Sequence, residues 1–177
     1  MLSIKAHLGL MAQYNTVMND RLIAAVRPLS DAELLAPRGA FFGSILGTMN
    51  HLVVGDILWL SRMRPYPFGQ GLGALDSLPR PASLNDMPCP DFATYEPMRR
   101  QLDALFVAFI DGLSDDDLAA PFSYRNSHNL PFTKTLGLVL SHVFNHQTHH
   151  RGQVTTLLSQ AGLDIGSTDL APMVPEL

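Results

Sequence analysis

The sequence predicts an all-α protein, a four-helix bundle with long connections and short accessory helices. Three observations lead to this fold class. Apolar residues recur at helical spacing in four long segments, prolines and a glycine stand where those segments should stop, and the connections between them are long. With 177 residues, of which 46% are hydrophobic, the chain can bury a core without a disulfide or a structural metal. We expect one domain, 1–177, with its core over 2–162 and a C-terminal tail over 163–177.

The first two long helices are predicted over residues 2–27 and 43–63. Pro28 stops the first, because proline cannot continue a helix. The second is apolar nearly all round between Ile45 and Leu60, which is usual for a helix at the centre of a bundle.

Short accessory elements connect the long helices. Residues 30–33 form a capping-box pattern, which predicts a short helix that ends before Pro37. Residues 114–117 cap a second short helix, which Pro121 ends. Residues 64–90 are dense in proline and glycine and predict an irregular connection of unusual length, a kind of segment that often carries function.

The third and fourth long helices are predicted over residues 94–111 and 133–160. Pro97 fits the first turn of the third helix, where its missing N–H costs nothing. Residues 122–132 separate the two helices and are compatible with a short hairpin. Gly162 is placed to end the fourth helix.

Composition and charge exclude several classes of protein. The formal net charge is −4 and no basic stripe is visible, so we expect no nucleic-acid partner. The single cysteine, Cys89, allows no intrachain disulfide and is more simply a bystander than a nucleophile. The longest apolar stretches carry His51, Asp56 or Asp103, so none reads as a membrane span, and no signal-peptide pattern is visible. We therefore expect a cytoplasmic protein.

The fourth helix carries a cluster of four histidines, His142, His146, His149 and His150. A helix advances about 100° per residue, so with His142 at zero, His146 lies near 40° and His150 near 80°. The aliphatic residues of the helix fall between about 60° and 160° on the same scale, so His146 and His150 face the core and the other two point further out. Residues four apart can converge on one ion, as in helical zinc motifs. The pair formed by His142 and His146 is the main competitor.

A third ligand has to come from another helix, and His51 is the histidine of the second helix. Three imidazoles suit a divalent transition metal, and three protein ligands are typical of a reactive site rather than a closed structural one. Taken alone, His51 would more simply be interpreted as a hydrogen-bonded core residue.

Other polar residues are candidates for supporting roles. Asp56 is a candidate to pair with an arginine or to orient a ligand imidazole. Gln153 is a candidate supporting group, whereas no Glu follows His146 as in metalloproteases, which disfavours peptide hydrolysis.

Two stretches resemble the DinB/YfiT-like family of metal-dependent enzymes. Residues 145–153, Asn-His-Gln-Thr-His-His-Arg-Gly-Gln, are similar to the family's closing motif. Residues 43–52, followed by Asp56 and Trp59, are similar to its helix-two motif. The resemblance implies a four-helix bundle, often dimeric, with a metal held by one histidine of helix two and an H-x3-H pair on helix four. In this chain the implied ligands are the histidines at positions 51, 146 and 150.

The resemblance also implies a function. Some relatives are transferases or isomerases that use a low-molecular-weight thiol at the metal. We therefore expect a metal-dependent transferase, of the small-thiol S-transferase type, or a hydrolase, in either case acting on a small molecule. Zinc or nickel is the favoured ion, with iron or manganese as alternatives. The other hypothesis is a non-catalytic, stress-linked metal or ligand binding protein in which the ion is structural.

We further expect a homodimer. Helix one is the predicted contact element, because Met11, Tyr14 and Met18 form an apolar stripe with few charges around it. The same stripe is equally compatible with packing inside the bundle.

Overall fold

The fold is largely helical in the computed structural model, which describes residues 3–176. Six α-helices are present in this part of the chain: α1 (Ile4–Val26), α2 (Asp31–Leu35), α3 (Ile45–Met63), α4 (Phe92–Gly112), α5 (Asp115–Ala119) and α6 (Leu136–Gln160). Two strands, β1 (Pro121–Arg125) and β2 (Pro131–Thr135), form an antiparallel hairpin that pairs Pro121 with Thr135. Pro67–Ser77 and Ala171–Met173 are 3₁₀-helical.

Each of the four long helices contacts two others. Helix α1 contacts α4 and α6, and α3 also contacts α4 and α6. Every residue of α3 from Ile45 to Ile57 is buried, so the prediction that this apolar helix is buried is confirmed. The predominantly helical fold is confirmed as well, with a two-stranded sheet in addition. Among residues 3–176, no helix combines the length and apolarity that a membrane span needs.

Side-chain caps explain where five of the six α-helices begin, and α6 is the exception. Ser44 accepts a hydrogen bond from the backbone N–H of Gly47, so α3 begins after it. Asp91 caps α4 in the same way, which places the first helical residue at Phe92. The prediction that Pro97 lies in the first turn is therefore wrong: it lies in the second turn, where its missing N–H removes one helical hydrogen bond. Both short helices have complete capping boxes.

The connection over 64–90 is more regular than expected, because part of it is 3₁₀-helical and packs on α3 and α4. Its last section is held by Asn50 of α3. The Asn50 side-chain amide accepts from the backbone N–H of Cys89 and donates to the carbonyl of Cys89, both at 2.8 Å. This two-way bond ties the connection to the residue that precedes His51.

The tail after α6 folds back along α1. Gly162 has a positive φ of 79°, as predicted for the residue that ends the helix. The Tyr14 hydroxyl donates to the carbonyl of Thr168 at 2.6 Å, and Ile165 is buried. Tyr14 and Met18 are only 6% and 2% exposed. The expectation that α1 exposes them to a second subunit is wrong, because the chain's own core and tail cover them.

A buried polar network crosses the helical core. Arg99 of α4 lies between the carboxylates of Asp56 on α3 and Asp103 on α4, and all three side chains are at most 3% exposed. Residues of the other long helices extend the network: Asn15 and Asn19 on α1, and Gln147 and Arg151 on α6. The network thus joins all four long helices. The predicted pairing of Asp56 with an arginine is observed.

Candidate metal centre

Helices α3 and α6 bring three histidine side chains to one point. His51, His146 and His150 each offer a ring nitrogen, and the three nitrogens lie within 4.8 Å of one another. The Nε2 atoms of His51 and His146 are 3.1 Å apart. His51 is buried, while His146 and His150 are half-buried. These are the three residues that the sequence analysis selected.

The donor set fits one transition-metal ion. Two imidazole nitrogens bound to one zinc ion at 2.0–2.1 Å are about 3.3 Å apart in tetrahedral geometry and about 2.9 Å in octahedral geometry. The observed separation of 3.1 Å lies between these values. The same distance also fits a hydrogen bond in which the Nε2–H of His146 donates to Nε2 of His51.

Two hydrogen bonds orient the rings. Nδ1 of His51 lies 3.1 Å from the carbonyl oxygen of Leu84, and Nδ1 of His150 lies 2.8 Å from Oε1 of Gln153. A carbonyl oxygen only accepts, so both Nδ1 atoms carry the proton and both Nε2 atoms keep their lone pairs. The Gln153 amide nitrogen contacts the ring of His149 at 3.3 Å. Such outer partners hold ligand histidines in the binding tautomer.

An aromatic residue closes one side of the group. The ring of Phe42 stacks on His51 with centroids 3.8 Å apart and meets His150 edge-on at 5.5 Å. Gly47 makes this arrangement possible, because a Cβ at that position would lie 2.1 Å from the carbonyl oxygen of Phe42. The loop before α3 therefore packs tightly on the first turn of the helix and places the Phe42 ring over His51.

A glycine makes room for the second ligand. Gly55 lies one helical turn after His51, and a Cβ there would be 3.1 Å from Cε1 of His146. This is tighter than an ordinary van der Waals contact, so any larger residue would push the His146 ring. A glycine inside a helix costs about 0.5–1 kcal/mol relative to alanine, which is consistent with a packing reason for it.

Burial keeps the three imidazoles neutral. It is the largest cause that lowers the pKa of His51, His146 and His150, and the pKa of His146 falls to about 3, with its histidine neighbours adding to the effect. The unprotonated ring is the form that binds a metal.

The remaining candidates lie outside this group. His142 packs against Trp59, with ring centroids 5.5 Å apart, and it does not belong to the three-histidine group. Within residues 3–176, no Cys, Asp, Glu or fourth His belongs to the group. Cys89 is buried, and burial raises its pKa to about 11, which agrees with a bystander role.

Sequence reasoning missed three supporting residues, Leu84, Phe42 and Gly55. Gly55 carried a usable signal, because it is a glycine four residues after a candidate ligand in an apolar helix. Leu84 contributes a backbone carbonyl, which no side-chain pattern reveals.

Comparison with known proteins gives two matches. The sequence model of the DinB family matches residues 3–174. Protein DinB of Bacillus subtilis (strain 168) is 22% identical over 157 residues, which cover 89% of this chain and 87% of that protein. No solved structure matches the chain significantly.

Proposed function

Because this chain belongs to the DinB family, we propose that it binds one divalent transition metal through His51, His146 and His150. We further propose that it acts as a metal-dependent transferase of the small-thiol S-transferase type, or as a hydrolase, on a small molecule. Zinc or nickel is the favoured ion, with iron or manganese as alternatives. The observation that carries the proposal is the approach of three imidazole nitrogens from two helices to within 4.8 Å of one another.

The chain's own residues have defined tasks in this proposal. The three imidazoles bind the ion in their neutral form, and Leu84 and Gln153 hold the outward Nδ1 protons. Phe42 excludes water from one face of His51. A bound divalent ion supplies Lewis acidity, which favours the anionic form of a water or a thiol. A set of three protein ligands is typical of reactive sites.

The donor set favours thiol transfer over peptide hydrolysis. No carboxylate among residues 3–176 belongs to the histidine group, and Asp56 is bonded to Arg99 and Gln147 instead. Metalloproteases of the helical histidine type use a glutamate beside the metal as the general base for peptide hydrolysis, and this group offers none. A low-molecular-weight thiol is therefore the proposed cosubstrate.

Metal analysis of the protein purified without an affinity tag tests the ligand set. His51→Ala, His146→Ala and His150→Ala should each lose most of the metal, as measured by elemental analysis. His149→Ala is the matched control, since this residue is exposed and lies outside the group, and it should keep the metal. Full occupancy in His146→Ala would contradict the assignment.

A second experiment separates catalysis from a structural role of the ion. Metal-free protein and protein reloaded with zinc, nickel, iron or manganese are assayed with a panel of thiols and electrophiles. Turnover that disappears on chelation and returns on reloading supports the enzyme. If no combination of thiol and electrophile reacts and chelation only lowers the melting temperature, a non-catalytic binding protein becomes the better interpretation.

A homodimer is also part of the proposal, on the basis of family membership. Its interface cannot be centred on Tyr14 and Met18, since both are buried within one chain. Light scattering at micromolar concentration should give twice the mass of 19.4 kDa. A monomer mass would contradict the proposed dimer and would leave the proposed metal site unaffected.

A further inference from the structure

An aromatic pocket lies next to the histidine group. It has a volume of about 480 Å³ and opens between the C-terminal half of α3, the β-hairpin and the start of α6. Its walls include Trp59, Tyr124, Leu138 and His142. The rings of Trp59 and Tyr124 meet edge to face with centroids 5.0 Å apart, and Leu138 is 64% exposed. These surfaces suit a planar or apolar group.

Two cationic side chains lie at the pocket or against its aromatic walls. Lys134 lines it, and the guanidinium of Arg62 lies 4.7 Å from the ring centroid of Trp59 and 5.6 Å from that of Tyr124. Neither cation forms an ion pair with an acid among residues 3–176, and no acidic residue lines the pocket. The two charges are therefore available to an incoming anion. They also disfavour a cationic ligand, which the aromatic walls alone could have accepted.

His142 separates this pocket from the histidine group. Its ring centroid is 5.5 Å from that of Trp59 and 6.2 Å from that of His146. A molecule that stacks on Trp59 thus lies across one imidazole ring from a proposed metal ligand. This is close enough for one part of a small molecule to occupy the pocket while another part extends towards the metal centre.

We propose that the pocket binds the planar, anionic end of the substrate, an aromatic or conjugated carboxylate. The rings of Trp59 and Tyr124 stack on the planar group, and Lys134 and Arg62 attract the carboxylate. The link to catalysis rests on the proposed function, but binding in the pocket does not require the metal. The two proposals can therefore fail separately.

The fluorescence of Trp59 reports on the pocket directly, because this residue is the only tryptophan of the chain. Benzoate is titrated into the full chain, metal-free and metal-loaded, at constant ionic strength. Benzamide is the neutral aromatic control, and acetate is the anionic control without a ring. We expect saturable quenching by benzoate in both forms of the protein, and weaker binding of benzamide and acetate.

Surface variants test whether benzoate binds in this pocket. Leu138→Glu adds a negative charge to the wall and should abolish benzoate binding, while Leu138→Gln should retain it. Lys134→Gln should weaken binding by up to about fivefold, the upper limit for an exposed ion pair. Lys5→Gln removes the chain's other lysine, which bonds to the carbonyl of Asp111 on α4, and should have no effect. Circular dichroism confirms that each variant is folded.

Three outcomes would overturn the proposal. They are linear, collisional quenching by benzoate, equal binding of benzoate and benzamide, and binding that Leu138→Glu leaves unchanged. Saturable benzoate binding in a chain that takes up no metal would retain the pocket and reject the metal centre. Metal uptake without benzoate binding would reject the pocket and retain the metal centre.

Discussion

Replacement of Arg99 by methionine should destabilise the protein far more than the same change at the next residue. Arg99 is fully buried and is the cation between Asp56 and Asp103. Burial by itself would lower the pKa of Arg99, but the two carboxylates outweigh burial and raise it, so the guanidinium stays charged. Arg99→Met removes this charge and leaves two buried carboxyl groups without their partner.

The expected loss follows from the cost of breaking a buried ion pair. Removal of one partner costs about 3–5 kcal/mol of unfolding free energy, out of a total of about 5–15 kcal/mol for a typical domain. At about 2–4 °C per kcal/mol for a chain of this size, the melting temperature should fall by about 6–20 °C. Urea unfolding followed by circular dichroism measures the loss.

The loss of unfolding free energy in Arg99→Met should also depend on pH. Burial raises the pKa of Asp56 and Asp103, and Arg99 opposes that rise. In Arg99→Met the folded chain therefore keeps protons on these groups at pH values where the unfolded chain, with an Asp pKa of about 3.9, has released them. Stability then falls as the pH rises above about 4, so the deficit against the natural sequence should be larger at pH 7 than near pH 4.

Arg100→Met is the matched control. Arg100 is 49% exposed and contacts Asp20 and Glu96 at the surface. Exposed pairs of this kind contribute about 0–1 kcal/mol, so the control should stay close to the natural sequence. The reasoning is refuted if the two variants lose equal stability, or if the deficit of Arg99→Met is the same at both pH values.

Three further predictions concern the metal centre and its surroundings. Gly55→Ala should weaken metal binding by roughly tenfold in a chelator competition, because the new Cβ displaces His146. Gly152→Ala, which has open space, should bind metal normally, and equal affinities in the two variants would contradict the packing argument. The Cys89 thiol, whose pKa burial raises to about 11, should resist a thiol reagent at neutral pH until the protein is denatured; rapid labelling of folded protein would refute this. Removal of the metal should leave the helical circular dichroism spectrum intact, because one hydrophobic cluster already joins all four long helices; unfolding on chelation at room temperature would favour a structural ion.

The sequence predicted the long helices well because the signals that form them are local. Helical spacing, a capping Ser44 and a terminal Gly162 act over a few residues, so each can be read without knowing what lies opposite. Two boundaries were wrong. Asp91 starts α4 earlier than its apolar face suggested, which moved Pro97 into the second turn. The fourth helix was predicted from residue 133, but residues 133–135 pair with β1 as part of β2, and α6 begins at Leu136.

The histidine group was accessible to sequence reasoning for the same reason. His146 and His150 are four residues apart on one helix, so their common direction follows from helix geometry alone. The choice of His51 needed the further assumption that α3 faces α6, and the packing of these two helices bears that assumption out. Whether the three side chains bind a metal stays a prediction.

Tertiary structure alone decided the contacts between residues that are distant along the chain. The carbonyl of Leu84 orients His51, and Gly55 makes room for His146, but neither contact follows from a local pattern. The apolar stripe of α1 that carries Tyr14 could equally have faced a second subunit, and the returning tail decided otherwise. Periodicity determines which way a side chain points from its own helix axis, whereas the packing of the whole chain determines what that side chain meets.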